Sequence, residues 1–196
     1  MFVQVFQGKV SDADLWARQV EKWSKEIKPK TTGFLGFTTG TTADGHMITI
    51  VRFESEEKAR VDSELAEQGA WFEQTTQAFD GEITFHDCAQ VDFLLAGGSD
   101  EAGFVQVMQG RAKDQQKMRG LQKDMEAALR ELRPDLLGAT IAWHGDGGFT
   151  QASYFTSEQE ARANEQASAR SPLFEQLMSL IHGDLTFYDL TDVAFE

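Results

Sequence analysis

The chain has 196 residues, of which 41% are hydrophobic and 26% charged, and its net charge is −14 at neutral pH. This composition is typical of a globular protein, and the excess of carboxylates argues against binding to nucleic acid phosphates or to an anionic membrane surface. No apolar run approaches the roughly 18 residues that cross a bilayer, and the N-terminus does not resemble a signal peptide. The single cysteine, Cys88, excludes an intramolecular disulfide. We therefore expect a cytoplasmic protein with neither a nucleic acid nor a membrane partner.

The first third of the chain predicts a strand, a helix and a hairpin. Residues 2–8 alternate between apolar and polar side chains, as a half-buried strand does. Asp12 is suited to cap a helix whose apolar residues recur at helical spacing, namely Trp16, Val20, Trp23 and Ile27. Residues 34–41 and 46–54 predict a hairpin, because Asp44-Gly45 supplies the positive φ angles of a tight turn.

A second helical region and two more strands follow the hairpin. Ser55 is a candidate N-cap for this helical region, which is predicted to break near Gln68-Gly69, to resume through Trp71 to Phe79 and to stop at Gly81. Residues 83–85 predict a fourth strand, and residues 91–95 predict an additional one.

The whole series is then repeated. FVQVFQGKV begins at Phe2 and FVQVMQGRA at Phe104, 102 positions later. The same offset aligns further matches in every segment, including Leu35-Gly36 with Leu137-Gly138, Asp44-Gly45 with Asp146-Gly147, and Phe72-Glu73-Gln74 with Phe174-Glu175-Gln176. We assign residues 1–95 to repeat 1, the small and polar residues 96–103 to a linker, and residues 104–196 to repeat 2.

The order of elements predicts the fold class. A βαββαβ series forms a four-stranded antiparallel sheet with both helices on one face, the ferredoxin-like arrangement. The other face of such a sheet carries apolar side chains that need cover, and the second repeat is the obvious partner. We therefore predict an α+β protein in which two tandem ferredoxin-like units form an intramolecular dimeric α/β barrel.

Several landmarks resemble a known superfamily. They are the Gly-Phe-Leu-Gly entry at 33–36, the hairpin around Asp44-Gly45, the Phe-x-Ser-x-Glu-x-Ala-Arg run at 53–60 and the Trp-Phe-Glu-Gln turn at 71–74. Together these landmarks resemble the dimeric α/β-barrel proteins that include the antibiotic biosynthesis monooxygenase (ABM) domain. Members usually pair two single-domain chains, so the resemblance implies a tandem fusion of two ABM-like domains that forms an internal pseudo-dimer. A further homodimer stays open.

The resemblance also implies a range of activities, because one fold hosts many functions. The haem-degrading branch uses a histidine about four residues after the position of Phe72, and Thr76 and Met178 stand at that place in the two repeats. Haem degradation is therefore disfavoured. The superfamily that these landmarks resemble also includes haem-dependent peroxidases, isomerases, members with no known activity, and oxygenases without a cofactor. An oxygenase of the last kind would need only an apolar slot and a group that removes a proton from the substrate, with neither a cofactor nor a metal.

Comparison of the repeats suggests which residues would do this chemistry. Trp16, Trp23 and Trp71 align with merely apolar residues and are predicted to be core. Polarity differs where Arg52 aligns with Tyr154 and His86 with Tyr188, so these four are the candidate catalytic residues.

His86 would be the base, and Arg52 or Tyr188 would stabilise an enolate-like oxygen. In the alternative interpretation, His86 bonds to solvent or backbone at a strand end, and Arg52 pairs with a surface carboxylate.

Two functional hypotheses follow. The first is a cofactor-independent monooxygenase acting on a small hydrophobic or aromatic molecule. The second is a non-catalytic small-molecule-binding or stress-related protein with the same fold. The repeats differ where Arg52 aligns with Tyr154 and His46 with Gly148, which predicts that any chemistry is confined to one repeat.

Overall fold

The structure is a computed structural model that describes residues 1–169 and 171–196. It divides the chain into two compact units. Unit 1 consists of Met1–Gln90 together with Thr191–Glu196, and unit 2 consists of Val91–Leu190. Strands and helices occur in both units, so the predicted α+β class is confirmed.

Unit 1 contains an antiparallel sheet with helices packed on one face. Its strands are β1 (Phe2–Val10), β2 (Phe34–Thr41), β3 (His46–Phe53) and β4 (Phe79–Cys88), in the spatial order β4-β1-β3-β2. Its helices are α1 (Ala13–Lys22), α2 (Glu56–Ser63) and α3 (Ala66–Thr76), and a π-helical turn (Trp23–Ile27) and a 3-10 turn (Lys28–Lys30) extend α1. One buried cluster joins sheet residues such as Phe37 and Phe53 to helix residues such as Trp16 and Trp71.

The local signals for these elements act as predicted at most places. Asp12 caps α1 by accepting a hydrogen bond from the backbone N–H of Leu15 at 2.8 Å, and Ser55 caps α2 through the N–H of Lys58 at 3.2 Å. Gly45 adopts a φ of 82° in the β2–β3 turn, as the Asp-Gly pattern requires.

The second helical region differs from its prediction. It breaks at Glu64-Leu65 and not at Gln68-Gly69, and α3 ends at Thr76. Gly81 does not stop the helix but lies inside β4 with a φ of 84°. There the register against β1 shifts between Gln7 and Lys9, so the glycine provides the left-handed residue of a β-bulge.

Unit 2 repeats the same plan. Its strands are β6 (Phe104–Ala112), β7 (Leu136–Trp143), β8 (Gly148–Phe155) and the first part of β9 (Ile181–Phe195), in the spatial order β9-β6-β8-β7. Its helices are α4 (Gln115–Asp124), α5 (Glu126–Leu132), α6 (Glu158–Ser168) and α7 (Pro172–Ser179). The buried core of this unit includes two separate clusters, one around Met118 and Ile141 and one around Phe104 and Phe155.

An additional edge strand completes the sheet of each unit, and in unit 1 it comes from the distant C-terminal end of the sequence. In unit 1 the residues after Leu190 pair with β2, with Thr38 opposite Phe195 and Thr41 opposite Thr191. In unit 2 the corresponding edge is β5 (Gln90–Leu95), which lies beside β7.

Side-chain contacts hold the edge strand of unit 2 in place. Asp92 of β5 accepts hydrogen bonds from Arg119 Nη2 and from the indole N–H of Trp143, both at 2.7 Å. Trp143 is only 2% exposed, so Asp92 satisfies an indole donor that has no access to water.

Candidate functional site

Unit 2 contains a cavity of about 640 Å³ between its sheet and its helices. The sheet side of the lining consists of Gln106, Met108, Gln151, Ser153 and Phe155, and the helix side includes Gln122, Met125, Leu129, Phe174 and Leu177. Cavities of this size and mostly apolar lining are typical of small-molecule sites. Leu94, which belongs to β5, also contributes to the wall, so residues from before the linker take part in the site.

The equivalent place in unit 1 is almost filled. Its cavity has a volume of about 80 Å³ and is lined at the matching positions, for example by Gln4 and Phe53. Trp16, Trp23 and Trp71 occupy this space and are 8%, 8% and 6% exposed. The prediction that these tryptophans belong to the core is therefore confirmed.

Specific contacts hold the tryptophans across the space. Trp23 meets Phe34 and Phe37 edge-on, with ring centroids 4.7 and 5.7 Å apart. Its indole N–H donates to Gln68 Oε1 at 2.8 Å, and the indole of Trp71 donates to the backbone carbonyl of Gln19 at 2.8 Å.

At the offset of 102, unit 2 has smaller apolar residues at the positions of Trp23, Phe34 and Phe37. Met125 stands in place of Trp23, Leu136 in place of Phe34 and Ala139 in place of Phe37. The difference between the two cavities is thus encoded in a small set of size changes between the repeats.

A polar network lies beside the cavity in unit 2. Gln106 Nε2 donates to Asp189 Oδ1 at 2.8 Å, and the guanidinium of Arg162 forms an ion pair with the same carboxylate. The Gln–Asp pair recurs in unit 1, where Gln4 Nε2 donates to Asp87 Oδ1 at 2.8 Å. Burial lowers the pKa of Arg162, but Asp189 outweighs this effect and holds that pKa above its usual value. Arg162 is therefore a permanently charged and already neutralised group.

A second arginine in the lining is neutralised in the same way. Arg133 donates from Nη2 to Asp135 Oδ2 at 2.8 Å, and the Asp135 side chain is only 1% exposed. Its guanidinium also lies over the ring of Phe155, 4.9 Å from the centroid. The arginine is thus fixed as part of the wall.

One lining residue has an unsatisfied polar atom. Gln122 is 4% exposed, and its Oε1 is buried without a hydrogen-bond partner among the residues that the structure describes. At the same offset unit 1 has Val20. Sequence reasoning did not select Gln122, although a glutamine on the apolar stripe of a helix, opposite a valine in the other repeat, was the available signal.

The four predicted catalytic residues lie on strands but do not line either cavity. Arg52 of β3 lies opposite Val3, and His86 of β4 lies opposite Val5. Because strand side chains alternate, and because Gln4 of β1 lines the cavity of unit 1, these two residues belong to the other sheet face.

The same alternation applies in unit 2. Tyr154 lies opposite Val105 and Tyr188 lies opposite Val107, whereas the neighbouring Gln106 and Phe187 line the cavity. The structure therefore places two of the four residues in each unit, on the face away from the cavity and on strands that a third strand separates. Their catalytic role stays a prediction.

The environment of these residues differs in detail. Tyr154 is 1% exposed, and Arg52 is half-buried with Nη2 3.5 Å from the backbone carbonyl of Glu196. His86 and Tyr188 are half-buried.

Other reactive groups are inert or scattered. Burial raises the pKa of the Cys88 thiol to about 12, so that it stays protonated near neutral pH. Across residues 1–169 and 171–196, no group of three or more His, Cys, Asp or Glu side chains is placed to hold a metal ion. The helices in the same part of the chain are all too short or too polar to span a membrane.

Comparison with solved structures identifies the fold. The chain is similar to a candidate monooxygenase from Fusobacterium nucleatum (TM-score 0.75, 10% identity, covering 100% of this chain and 93% of that one). It is also similar to a candidate monooxygenase from Lactobacillus acidophilus NCFM (TM-score 0.73, 11% identity, covering 98% and 95%). An anthrone oxidase-like protein gives a TM-score of 0.66 at 12% identity, covering 99% and 92%.

The chain has the fold of these monooxygenase-like proteins. No protein-family model and no curated protein matches the sequence. At identities of 10% to 12% the similarity concerns the fold alone.

Proposed function

We propose that this chain is an ABM-like, cofactor-independent monooxygenase that binds a small hydrophobic or aromatic molecule in the cavity of unit 2. The observation that carries the proposal is the cavity itself, which holds about 640 Å³ in unit 2 and only about 80 Å³ at the equivalent place in unit 1. A mostly apolar lining with a few polar groups favours an aromatic substrate.

The proposed reaction needs little from the protein. A base removes a proton from an activated CH₂ group, and the resulting carbanion reduces O₂ to form a C–O bond. The peroxide anion takes the proton back from the base and becomes a hydroperoxide, which still carries one hydrogen on the same carbon. The hydroperoxide then loses water, so that one oxygen atom remains in the product as a carbonyl and the other leaves as water. Glu165 and Asp184 are the carboxylates in the cavity lining, and either can serve as the base.

A tandem organisation is part of the proposal. We infer that residues 1–95 and 104–196 are two ABM-like domains that pair as an internal pseudo-dimer. Because the two domains of one chain can differ in sequence, this organisation supports the assignment of a single site to one unit. The nearly complete coverage of this chain by single chains of the same fold supports this inference.

A second candidate function is non-catalytic binding of the same class of molecule. It is favoured by the chemistry of the cavity wall, where the sheet side presents the neutral groups of Gln106, Gln151 and Ser153. Glu165 and Asp184 are both exposed, so that water solvates both carboxylates and neither is enclosed with a substrate as a dedicated base would be.

Oxygen consumption with an anthrone and with a naphthoquinol separates these functions. The variant Met125→Trp places in unit 2 the residue that fills unit 1. It is expected to abolish both oxygen uptake and the binding of a neutral fluorescent probe such as N-phenyl-1-naphthylamine. Lys123→Trp adds the same side chain on the exposed face of α4 and is the matched control. Turnover that persists in Met125→Trp would show that the reaction does not take place in this cavity.

The two sets of candidate residues can be compared in the same assay. If His86 and Arg52 carry the chemistry, His86→Ala and Arg52→Ala lower oxygen uptake while Asp184→Asn does not. If instead Asp184→Asn lowers oxygen uptake while His86→Ala and Arg52→Ala do not, the base lies in the cavity. Probe binding without oxygen uptake for any electron-rich substrate supports the non-catalytic function.

A further inference from the structure

The amide of Gln122 is the least satisfied polar group in the wall of the unit 2 cavity. The side chain lies on α4, is 4% exposed, and has a buried Oε1 without a partner among residues 1–169 and 171–196. A buried amide without a hydrogen bond is destabilising. Such a group in a cavity wall therefore suggests that a ligand supplies the missing partner.

The repeat provides a control for this interpretation. In unit 1 the matching position holds Val20, and there the cavity has shrunk to about 80 Å³. Where the space is filled by protein, the position is apolar; where the space is open, it carries an amide. The lining position is thus apolar in the filled unit and polar in the open one, although Gln19, a buried residue of α1 that does not line the small cavity, also has an Oε1 without a partner among the described residues.

The charges around the cavity restrict the ligand further. Arg162 is paired with Asp189, and Arg133 with Asp135. Arg162 also lies 3.5 Å from Glu158 and 3.6 Å from Glu165, and Glu165 adds negative charge to the lining. No cation in the described lining is left to neutralise an anionic ligand, and the chain as a whole carries a net charge of −14.

We propose that Gln122 is a specificity-determining residue that selects uncharged, largely apolar molecules carrying one hydroxyl or amide group. This inference rests on the proposed function of the cavity. The amide presents its oxygen or its nitrogen according to its orientation, so a hydroxyl, which both donates and accepts, suits it in either orientation. Carboxylate-bearing analogues are excluded by charge.

Displacement of a neutral fluorescent probe tests the proposal. N-phenyl-1-naphthylamine is bound to the full chain and displaced by 1-naphthol, 1-methylnaphthalene or 1-naphthoate near neutral pH. The wild type is expected to bind 1-naphthol on the order of tenfold more tightly than 1-methylnaphthalene, and 1-naphthoate more weakly than either. In Gln122→Leu the preference for the hydroxyl is expected to disappear, while 1-methylnaphthalene binds as in the wild type.

The controls keep the outcomes separate. Gln116→Leu makes the same change on an exposed position of α4 and is expected to leave every affinity unchanged. Gln122→Met is a second apolar variant for the case in which Gln122→Leu does not fold. An undiminished preference for 1-naphthol in the folded apolar variant would overturn the role of Gln122 alone. Failure of the wild type to bind any of the four compounds would instead overturn the proposed function of the cavity.

Discussion

Trp23→Met tests the claim that tryptophans close the cavity of unit 1. The side chain is 8% exposed, packs edge-on against Phe34 and Phe37, and donates its indole N–H to Gln68. Each aromatic contact contributes about 0.5–1.5 kcal/mol beyond the area it buries, and the hydrogen bond contributes about 1 kcal/mol. Methionine recovers part of the packing because it adapts to irregular gaps. We expect the free energy of unfolding to fall by about 2–4 kcal/mol.

Urea denaturation followed by circular dichroism measures this loss. Met125→Leu is the matched control, because Met125 stands at the equivalent position of unit 2, where Leu136 and Ala139 replace the aromatic residues Phe34 and Phe37. This volume-conserving change is expected to cost less than about 1.5 kcal/mol. Titration with N-phenyl-1-naphthylamine supplies a second readout, since opening unit 1 is expected to raise the probe stoichiometry from one to two per chain.

Two results would contradict the reasoning. If Trp23→Met costs no more than Met125→Leu, the aromatic contacts do not stabilise unit 1 in the way inferred. If the variant is destabilised but still binds one probe molecule, the packing argument holds and the small cavity has a cause other than Trp23.

Three further predictions concern stability and reactivity. Asp92→Ala is expected to lower the free energy of unfolding in urea by about 1–3 kcal/mol, because it leaves the buried indole N–H of Trp143 unpaired; an unchanged midpoint would contradict this role. The Gly148 N–H and Arg111 lower the pKa of Asp146 to about 2, so its ionised form stabilises the fold above the unfolded pKa of roughly 3.9, and this contribution is lost as the pH falls from about 4 to 2. Asp146→Asn should therefore cost less than about 1 kcal/mol at neutral pH, with the difference from wild type vanishing in acid urea titrations. Cys88 should react with iodoacetamide at pH 8 only after unfolding, because burial raises its pKa to about 12; rapid labelling of the native protein, detected by mass spectrometry, would refute this.

Local patterns were sufficient to predict most of the elements. The caps at Asp12 and Ser55 and the turn at Gly45 depend on residues close in sequence, and such signals can be recognised without tertiary information. Gly81 was interpreted wrongly because a left-handed glycine serves equally well as a helix stop and in a β-bulge. Only the pairing of β4 with β1 distinguishes these roles.

The edge strands show a second limit. The sequence predicts that residues 91–95 form a strand, but it does not indicate the sheet edge that this strand joins. Long-range contacts decide which unit each edge strand joins. The residues from Val91 onward belong to unit 2, and those from Thr191 onward belong to unit 1. For the same reason the contribution of Leu94 to the cavity wall could not be predicted from the local pattern.

The candidate site was the hardest part to predict. Alternation correctly places Arg52 on the face of Ile48 and Ile50, but alternation does not show which face borders a cavity. That information is present in the size changes, above all the replacement of Trp23 by Met125. Comparison of the repeats by side-chain volume would have indicated an open unit 2, whereas comparison by catalytic chemistry selected residues on the other face.

The size changes also explain why two repeats in one chain can differ so strongly. Two identical subunits must both be open or both be closed, because each substitution occurs in both copies. In this chain Trp23 can close the cavity of unit 1 while Met125 leaves that of unit 2 open. A closed cavity and an open cavity have opposite effects on stability. A well-filled core stabilises the fold, whereas a cavity of about 640 Å³ forgoes packing. We therefore expect unit 1 to be the more stable of the two units, and unit 2 to be the one that a ligand stabilises.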